Sequence, residues 1–368
     1  MTTSHWLPSA IAAIASDRLP EAPPIAGSAA LLSDVDLWDY WPVQETDGRV
    51  ARIGGGTLYM FLAAPVHDDP DARHARASIR LMHYSASGWS DLGPAFPDGF
   101  APGSRQWSGS AIVDAGHSRL TLFFTAAGVA GEAELGYQQA LFVTEAALTD
   151  ATPLMIGEWA APVEIIAPDD VHYMREMSGG CGLGTIKAFR DPAFFRDPAN
   201  GTDYVVFTAS LAGSASAWNG AIGVARKDGG GWELLPPLIA ADGVNNELER
   251  PHVIVHSGRY YCFWSTQAKV FAAHGPAGPT GLYGMVADAF TGPWRPLNHS
   301  GLVIANPAAC PHQAYSWLVQ SDLDVLSFVD FAGLAYPPAD AGEARRHFGG
   351  IPAPVLRLRL EGDRAVLA

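Results

Sequence analysis

The chain has 368 residues, of which 48% are apolar and 17% charged, a composition typical of a globular protein that is long enough to bury a large core. Its net charge of −15 and pI near 5.1 argue against nucleic acids and anionic membranes as partners, because both repel an acidic surface. A neutral substrate such as a sugar meets no such repulsion, and the sequence has no apolar run of about 18 residues that would cross a bilayer.

The N-terminal segment, residues 1–30, contains a short apolar stretch without the basic residues that begin a secretory signal peptide. We therefore expect it to form an arm or a short helix that packs on the rest of the molecule. No Gly/Ser-rich or Pro-rich linker interrupts the sequence that follows. Residues 31–368 are therefore predicted to form one domain.

From Leu31 onward the sequence is dominated by short segments rich in β-branched and aromatic residues and bounded by Gly, Pro, Asp or Asn, a pattern typical of β-strands. With 39 glycines and 28 prolines in the chain, tight turns are favoured over long helices. The clearest predicted strands span residues 57–63, 78–84, 120–125, 139–144, 203–208, 221–226, 252–256, 260–265, 282–287, 325–329 and 355–360.

A weak internal repeat organises these strands, because five times a polar residue in a motif-like cluster precedes a strand that contains Phe. The five pairs are Asp39 and Phe61, Ser108 and Phe124, Asp191 and Phe207, Glu249 and Phe263, and Ser316 and Phe328. Such a repeat predicts an all-β fold, a five-bladed β-propeller, in which the first strand of each blade lines the central axis. The polar residues that begin those strands are then expected to converge on one funnel-shaped site.

Four clusters in these repeats combine acidic or hydroxyl side chains with aromatic rings or arginine. They are Leu37-Trp38-Asp39-Tyr40-Trp41-Pro42, Gln106-Trp107-Ser108-Gly109-Ser110, Phe189-Arg190-Asp191-Pro192 and Glu247-Leu248-Glu249-Arg250-Pro251-His252. Aromatic rings stack on the C–H face of a sugar, and carboxylates bind its hydroxyl groups. Each cluster alone is more often a structural ion pair or a turn cap, but the four together indicate a carbohydrate site.

The carboxylates of these clusters also fit catalysis, because cleavage of a glycosidic bond requires two of them in different roles. Glu247 and Glu249 are predicted to share one face of a strand, since side chains alternate. Like charges this close raise the pKa of one partner, which suits a general acid. Arg190 and Arg250 are expected to keep neighbouring carboxylates ionised. His252 is interpreted equally well as a residue that supports the site or as a purely structural one.

The remaining motifs indicate no metal and no cofactor. The segment Gly180-Cys181-Gly182-Leu183-Gly184 lacks the Lys and Ser/Thr of a phosphate-binding loop, and we interpret it as a loop that passes close to the site. The 12 histidines show no metal-binding spacing. Cys181, Cys262 and Cys310 lie far apart, which argues against a zinc knuckle and leaves either three buried thiols or one disulfide with an unpaired thiol.

Taken in order, the four clusters resemble glycoside hydrolase family 68, the bacterial levansucrases, inulosucrases and β-fructofuranosidases, and the similarity extends over residues 35–366. The resemblance implies that Asp39 is the nucleophile, that Glu249 is the acid/base and that Asp191 stabilises the transition state. It also implies a set of substrate-binding residues. These are Trp38, Trp107, Ser108, Arg190, Glu247, Arg250, Gln267 and Tyr315.

The reaction implied by the resemblance is a two-step cleavage of sucrose with retention. Asp39 forms a covalent fructosyl-enzyme, and water or an acceptor sugar then takes up the fructosyl unit. A strictly hydrolytic β-fructofuranosidase and a non-catalytic sugar-binding propeller are the alternatives. Small carbohydrates such as sucrose and fructo-oligosaccharides are the expected partners.

The resemblance carries three further expectations. No calcium is expected, because Asn246 and Thr185 stand where Gram-positive relatives carry calcium-binding Asp residues. Gln267 stands where many Gram-negative relatives have a His, which predicts substantial hydrolysis and little polymer. Most relatives act outside the cell, so we expect an extracellular protein exported without an obvious signal peptide, with a cytoplasmic protein as the alternative.

Overall fold

The computed structural model describes residues 1–16, 19–27, 29–176 and 186–368. The glycine-rich segment 180–184, which includes Cys181, and Thr185 lie outside these residues. Strands dominate the described chain, and no helix within it is both long and apolar enough to cross a membrane. Cys262 and Cys310 are free thiols.

The first strands build the N-terminal arm and two blades. The arm contains β1 (Ser4–His5) and α1 (Pro8–Ala13), followed by a 3-10 helix (Ile14–Ser16). Blade I contains β2 (Val35–Glu45), β3 (Thr57–Pro65), β4 (Ser78–Ser85) and β5 (Gly88–Pro94), with a 3-10 helix (Pro70–Arg76) between β3 and β4. Blade II contains β6 (Arg105–Val113), β7 (Arg119–Ala127), β8 (Gln139–Thr149), β9 (Met155–Trp159) and β10 (Val163–Ile166).

The remaining strands build three more blades. Blade III contains β11 (Phe189–Arg196), β12 (Asp203–Ser210), β13 (Gly220–Asp228) and β14 (Gly231–Ala240). Blade IV contains β15 (Glu249–His256), β16 (Arg259–Thr266), a 3-10 helix (Ala268–Val270), β17 (Gly281–Ala287), β18 (Arg295–Pro296) and β19 (Leu302–Ala305). Blade V contains β20 (Ala314–Val319), β21 (Asp324–Phe331), α2 (Ala341–His347), β22 (Phe348–Pro352), β23 (Leu356–Glu361) and β24 (Arg364–Leu367).

Each blade is an antiparallel sheet that begins at the axis with its first strand, which is β2, β6, β11, β15 or β20. A short parallel pairing of β2 with β6 joins blades I and II. Every strand predicted from the sequence overlaps an observed one. The prediction of an all-β, five-bladed propeller is therefore confirmed.

The hydrophobic core is divided among the contacts between neighbouring blades, because each blade presents an apolar face to the next. One cluster joins blades I and II, and others join II with III, III with IV, and IV with V. Blade V closes the ring on blade I, where Leu326 packs with Leu37 and Phe61. The five blades therefore form a closed ring around the axis.

The N-terminal arm packs across blades III and IV. β1 pairs in parallel with β14, and Trp6 is 1% exposed, with its indole Nε1 donating to Ser300 O at 2.9 Å. The ring of Trp6 meets Trp264 edge to face at 5.2 Å. The arm therefore contacts blades III and IV, while the division of the chain into an arm and a main domain at residue 30 stays a prediction.

Each innermost strand is interrupted by a β-bulge near its N-terminal end, where pairing with the second strand skips one or two residues. The skipped residues are Asp39, Ser108, Asp191 with Pro192, Arg250 with Pro251, and Ser316 with Trp317. The repeated Phe of each blade lies at this bulge and is at most 2% exposed. The sequence repeat therefore marks the same point in all five blades, and bulges of this kind re-aim side chains.

Candidate active site

Asp39 and Ser108 meet at the axis from blades I and II. The Ser108 hydroxyl donates a hydrogen bond to Asp39 Oδ2 at 2.8 Å, and Ser108 is only 1% exposed. Gly109 permits the bulge of β6, because a Cβ at this position would lie 1.9 Å from Phe123 O. The sequence Trp-Ser-Gly thus places a fixed donor beside the predicted nucleophile.

Asp191 is fixed by groups from three blades. Thr208 Oγ1 donates to Asp191 Oδ2 at 2.9 Å, and the backbone N–H of Arg250 donates to the same oxygen at 3.2 Å. The backbone N–H of Asp191 donates to Thr125 Oγ1 at 2.8 Å, and Thr125 donates onward to Ser108 O at 3.1 Å. The φ of Asp191 is 60°, a strained value for a residue other than Gly that concentrates at functional sites.

The two threonines of this network were not predicted from the sequence. Thr125 and Thr208 directly follow Phe124 and Phe207, the repeated aromatic residues of blades II and III. The signal was therefore present: a hydroxyl residue next to a Phe at the bulge is well placed to satisfy the backbone of the innermost strand.

Arg190 connects the carboxylates of blades III and IV. Its buried guanidinium donates from Nη2 to Glu249 Oε1 at 2.8 Å, and the same nitrogen lies 3.7 Å from Glu247 Oε2. Arg190 Nε lies 3.7 Å from Asp191 Oδ2. The structure thus places Arg190 among the neighbouring carboxylates, as expected, and its contact with substrate stays a prediction.

Two of these carboxyl groups have raised pKa values. Burial and the charge of Glu249, opposed by Arg190, together raise the pKa of Glu247 to about 7. Burial, opposed by Arg190 and aided by the charges of Glu249 and Asp39, raises the pKa of Asp191 to about 6. The charge of one glutamate of the predicted pair therefore contributes to a raised pKa of Glu247. The mutual influence of these charges shows that carboxylates from blades I, III and IV share one site.

Glu249 is held on both of its oxygens. Arg190 donates to Oε1, and the Tyr315 hydroxyl donates to Oε2. Burial and the charge of Glu249 raise the pKa of Tyr315, so its phenol stays protonated as a donor. The Gln267 side chain hydrogen-bonds to the same phenol. Tyr315 and Gln267 are thereby brought to the site as predicted, although their contacts with substrate stay a prediction.

Arg250 lies elsewhere than the sequence predicted. Its Nη1 donates to Ser316 Oγ at 2.5 Å, its Nη2 donates to Tyr40 O at 3.0 Å, and its guanidinium lies 5.7 Å from the centre of the Trp41 ring. The guanidinium forms no ion pair with a described carboxylate, and Arg250 instead reaches Asp191 through its backbone N–H. With a φ of 49° at the bulge, its side chain turns towards blades V and I, and its contact with substrate stays a prediction.

His252 is structural, which decides between its two interpretations. It is 7% exposed, its Nε2 accepts a hydrogen bond from Val319 N at 2.8 Å, and its Nδ1 lies 3.0 Å from Arg250 O. Burial lowers its pKa to about 4, so the ring is neutral. It joins blade IV to blade V below the site.

The two tryptophans expected as aromatic walls differ in exposure. Trp107 is partly exposed, and the guanidinium of Arg105 lies 5.8 Å from the centre of its ring. Trp38 is 2% exposed and belongs to the core between blades I and II. Trp107 therefore has a partly accessible ring, whereas Trp38 is part of the core. The direct contact of Trp38 with a sugar stays a prediction.

The ammonium group of Lys187 donates hydrogen bonds to three oxygen atoms near Glu247. Lys187 Nζ donates to Ala217 O at 2.6 Å, to Asn219 Oδ1 at 2.8 Å and to Asn246 Oδ1 at 3.0 Å. Asn246 Nδ2 in turn donates to Glu247 Oε1 at 3.3 Å. Among the described residues no group of His, Cys, Asp and Glu side chains is arranged to hold a metal ion.

Among the carboxylates of the site, Asp39 and Glu249 have different surroundings. Asp39 accepts one hydroxyl donor, whereas Glu249 is held by an arginine and a tyrosine. One carboxylate free to attack and one equipped to exchange a proton are the requirements for cleaving a glycosidic bond with retention.

Comparisons with known proteins agree with this geometry. A family model described as levansucrase/invertase matches residues 8–219 and 212–368. A levansucrase of Pseudomonas syringae pv. actinidiae is 31% identical over 395 residues, which covers 95% of this chain and 87% of the relative. A levansucrase of Rahnella aquatilis is also 31% identical and covers 95% of this chain and 90% of the relative.

Two solved structures share the fold. The inulosucrase from Halalkalicoccus jeotgali bound to kestose superposes with a TM-score of 0.90 at 37% identity, over 100% of this chain and 95% of the other. The levansucrase from Gluconacetobacter diazotrophicus superposes with a TM-score of 0.84 at 23% identity, over 100% of this chain and 90% of the other.

Proposed function

The chain belongs to glycoside hydrolase family 68, the levansucrase/invertase family, and from this premise we propose that it cleaves sucrose and transfers the fructosyl unit to an acceptor sugar or to water. It is a fructosyltransferase that acts on sucrose and related fructosyl saccharides. Its levansucrase and inulosucrase relatives favour this activity over a strictly hydrolytic enzyme and over a non-catalytic sugar-binding propeller.

One observation carries the mechanism we propose. Asp39, Asp191 and Glu249 lie at a similar level of three innermost strands, and the charges of Asp39 and Glu249 both act on the carboxyl group of Asp191. Gathering three acidic groups around one axis costs stability, because like charges repel and burial removes their hydration. Such an arrangement is best explained by a reaction that uses the charges.

In the first step Asp39 attacks the anomeric carbon of the fructosyl unit. The bond from that carbon to the glycosidic oxygen breaks, Glu249 gives its proton to this oxygen, and glucose leaves. The Ser108 hydroxyl fixes Asp39 for the attack. Asp191 accepts hydrogen bonds from sugar hydroxyls as positive charge develops on the ring.

In the second step Glu249, now ionised, takes a proton from water or from an acceptor hydroxyl. The oxygen so activated attacks the anomeric carbon and releases Asp39, which restores the starting state and gives retention of configuration. Arg190 and Tyr315 hold the two oxygens of Glu249 through both proton transfers. Glu247, whose pKa is about 7, offers a second carboxyl group to the hydroxyls of the bound sugar.

The experiment that tests the function is incubation of the purified protein with sucrose, followed by measurement of free glucose, free fructose and transfer products. Glucose release that exceeds fructose release is expected, because part of the fructosyl unit passes to sugars. Asp203→Asn serves as a control, since Asp203 pairs with Arg196 at the far end of blade III. A folded wild-type protein that releases no glucose from sucrose would refute the proposal.

A further inference from the structure

A carboxylate outside the predicted clusters lies at the rim of the funnel. Asp330 follows the position in β21 that pairs with Ala314, and its backbone N–H donates to Gln313 O at 2.9 Å. This end of blade V is the one from which Tyr315 enters the site. Gln267 has the corresponding place in blade IV, two residues after Ser265, which pairs with Glu249. Residues that follow these pairs at the ends of the second strands therefore lie at this rim.

The Asp330 carboxyl group is only partly satisfied by protein atoms. Its Oδ1 is buried without a hydrogen-bond partner and lies 3.6 Å from Arg73 Nη2. Because the side chain is still 20% exposed, the accessible oxygen is Oδ2, which has no hydrogen-bond partner among the described residues. The charges of Lys269 and Asp39 both act on this carboxyl group, in agreement with its place at the rim of the funnel.

Arg73 fixes the orientation of Asp330 from beneath. Its guanidinium is 5% exposed and lies 4.5 Å from the centre of the Phe348 ring and 5.6 Å from that of Trp38. Its Nη1 donates to Pro70 O at 2.9 Å and to Asp71 Oδ1 at 3.0 Å. With its position set by two rings and two acceptors, Arg73 attracts Oδ1 of Asp330, so that Oδ2 is the oxygen left for a ligand.

A purely structural role explains this pair poorly. A separation of 3.6 Å is too long for a hydrogen bond, and both Asp330 Oδ1 and Arg73 Nε are buried without partners. Native proteins rarely keep such unsatisfied groups unless function requires them. An ion pair kept for stability would be expected to close.

We propose that Asp330 is a further substrate-binding residue, whose Oδ2 accepts a hydrogen bond from a hydroxyl of the fructosyl unit held next to Asp39, with Arg73 as its positioning residue. The inference rests on the proposed function, because it assigns a contact to the same substrate. A hydrogen bond to the fructosyl unit forms before glucose leaves. Its loss therefore affects the first step, which hydrolysis and transfer have in common.

The test is the kinetics of glucose release from sucrose for Asp330→Ala, Asp330→Asn and Arg73→Met. At pH 8, where Asp330 is ionised, we expect Asp330→Ala to lower kcat/KM by about 10- to 100-fold, the range for a lost hydrogen bond to a charged group. Asp330→Asn keeps an acceptor oxygen and should retain more activity than Asp330→Ala. The kcat/KM of Arg73→Met should lie between those of the wild type and Asp330→Ala. In the double variant, Arg73→Met should lower kcat/KM little beyond the effect of Asp330→Ala, because the two residues act through one contact.

Asp324→Asn is the matched control on the same strand, since Asp324 pairs with Arg357 and is partly exposed at the other end of β21. If neither the wild type nor this control releases glucose, the proposed function fails. If both release glucose and Asp330→Ala and Asp330→Asn keep the wild-type kcat/KM, the inference about Asp330 is wrong. An altered ratio of transfer to hydrolysis with an unchanged kcat/KM would also overturn it, because it would place Asp330 at the acceptor.

Discussion

Asp330→Asn is expected to stabilise the protein above neutral pH. Burial raises the pKa of Asp330 from 3.8 to about 7, Arg73 opposes the shift, and the charge of Asp71 adds to it. At 1.36 kcal/mol per pKa unit, a shift of about three units corresponds to about 4 kcal/mol. Asparagine has a similar shape and does not ionise, so the variant avoids this cost.

The sign follows from the two titrations. Below pH 3.8 the carboxyl group is protonated in both the folded and the unfolded protein. Between pH 3.8 and about 7 only the folded state keeps the proton, so the free energy of unfolding falls as the pH rises. Above pH 7 the full cost is present, and the stability difference between variant and wild type should be largest.

The assay is denaturation of wild type and Asp330→Asn at pH 4 and pH 8, with Asp324→Asn as the control. At pH 8 we expect a gain of up to about 4 kcal/mol, about 5 °C in Tm for a chain of this size, and at pH 4 little difference. Other titrating groups cancel in the comparison. A variant that is less stable than the wild type at pH 8, or equally stabilised at both pH values, would refute the reasoning.

Three further predictions concern the reaction and the metal. Asp39→Asn and Glu249→Gln should each slow glucose release from sucrose by about three orders of magnitude or more, roughly 4 kcal/mol in the barrier, with unchanged circular dichroism; near-normal turnover would contradict their roles. A chelator should leave the Tm unchanged, because Lys187 already donates to the oxygens beside the site. Lys187→Met should lower the Tm through the lost hydrogen bonds. A large drop in Tm on adding the chelator would contradict this. Gln267 cannot carry a charge, so the wild type in concentrated sucrose should give substantial hydrolysis, short oligosaccharides and little polymer. Gln267→His should shift the products towards transfer. Abundant high-mass levan from the wild type would contradict this.

The blades were predictable because each carries its own signal. A Phe recurs at every bulge, as Phe61 in blade I and Phe124 in blade II illustrate, and both are fully buried. Since the first strand of each blade lines the axis of a propeller, the convergence of Asp39, Asp191 and Glu249 also followed from the sequence.

The direction of side chains at the bulges was not predictable. The alternation rule places successive side chains on opposite faces of a regular strand, but Arg250 has a positive φ and lies outside the regular pairing. Its side chain therefore reaches Ser316 and Tyr40 O instead of a carboxylate. Asp330 and Arg73 were missed for another reason: they come from a second strand and a 3-10 helix, where no motif marks them.

The covalent fructosyl-enzyme on Asp39 is the central claim, and intact-mass spectrometry tests it most directly. Glu249→Gln should be mixed with a fructosyl fluoride, whose leaving group needs no proton, so that the first step proceeds while the second lacks its base. We predict that the protein gains the mass of one fructosyl unit and that peptide mapping places it on Asp39. The double variant Asp39→Asn/Glu249→Gln should gain nothing. An unmodified Glu249→Gln protein, or an adduct on another residue, would contradict the account.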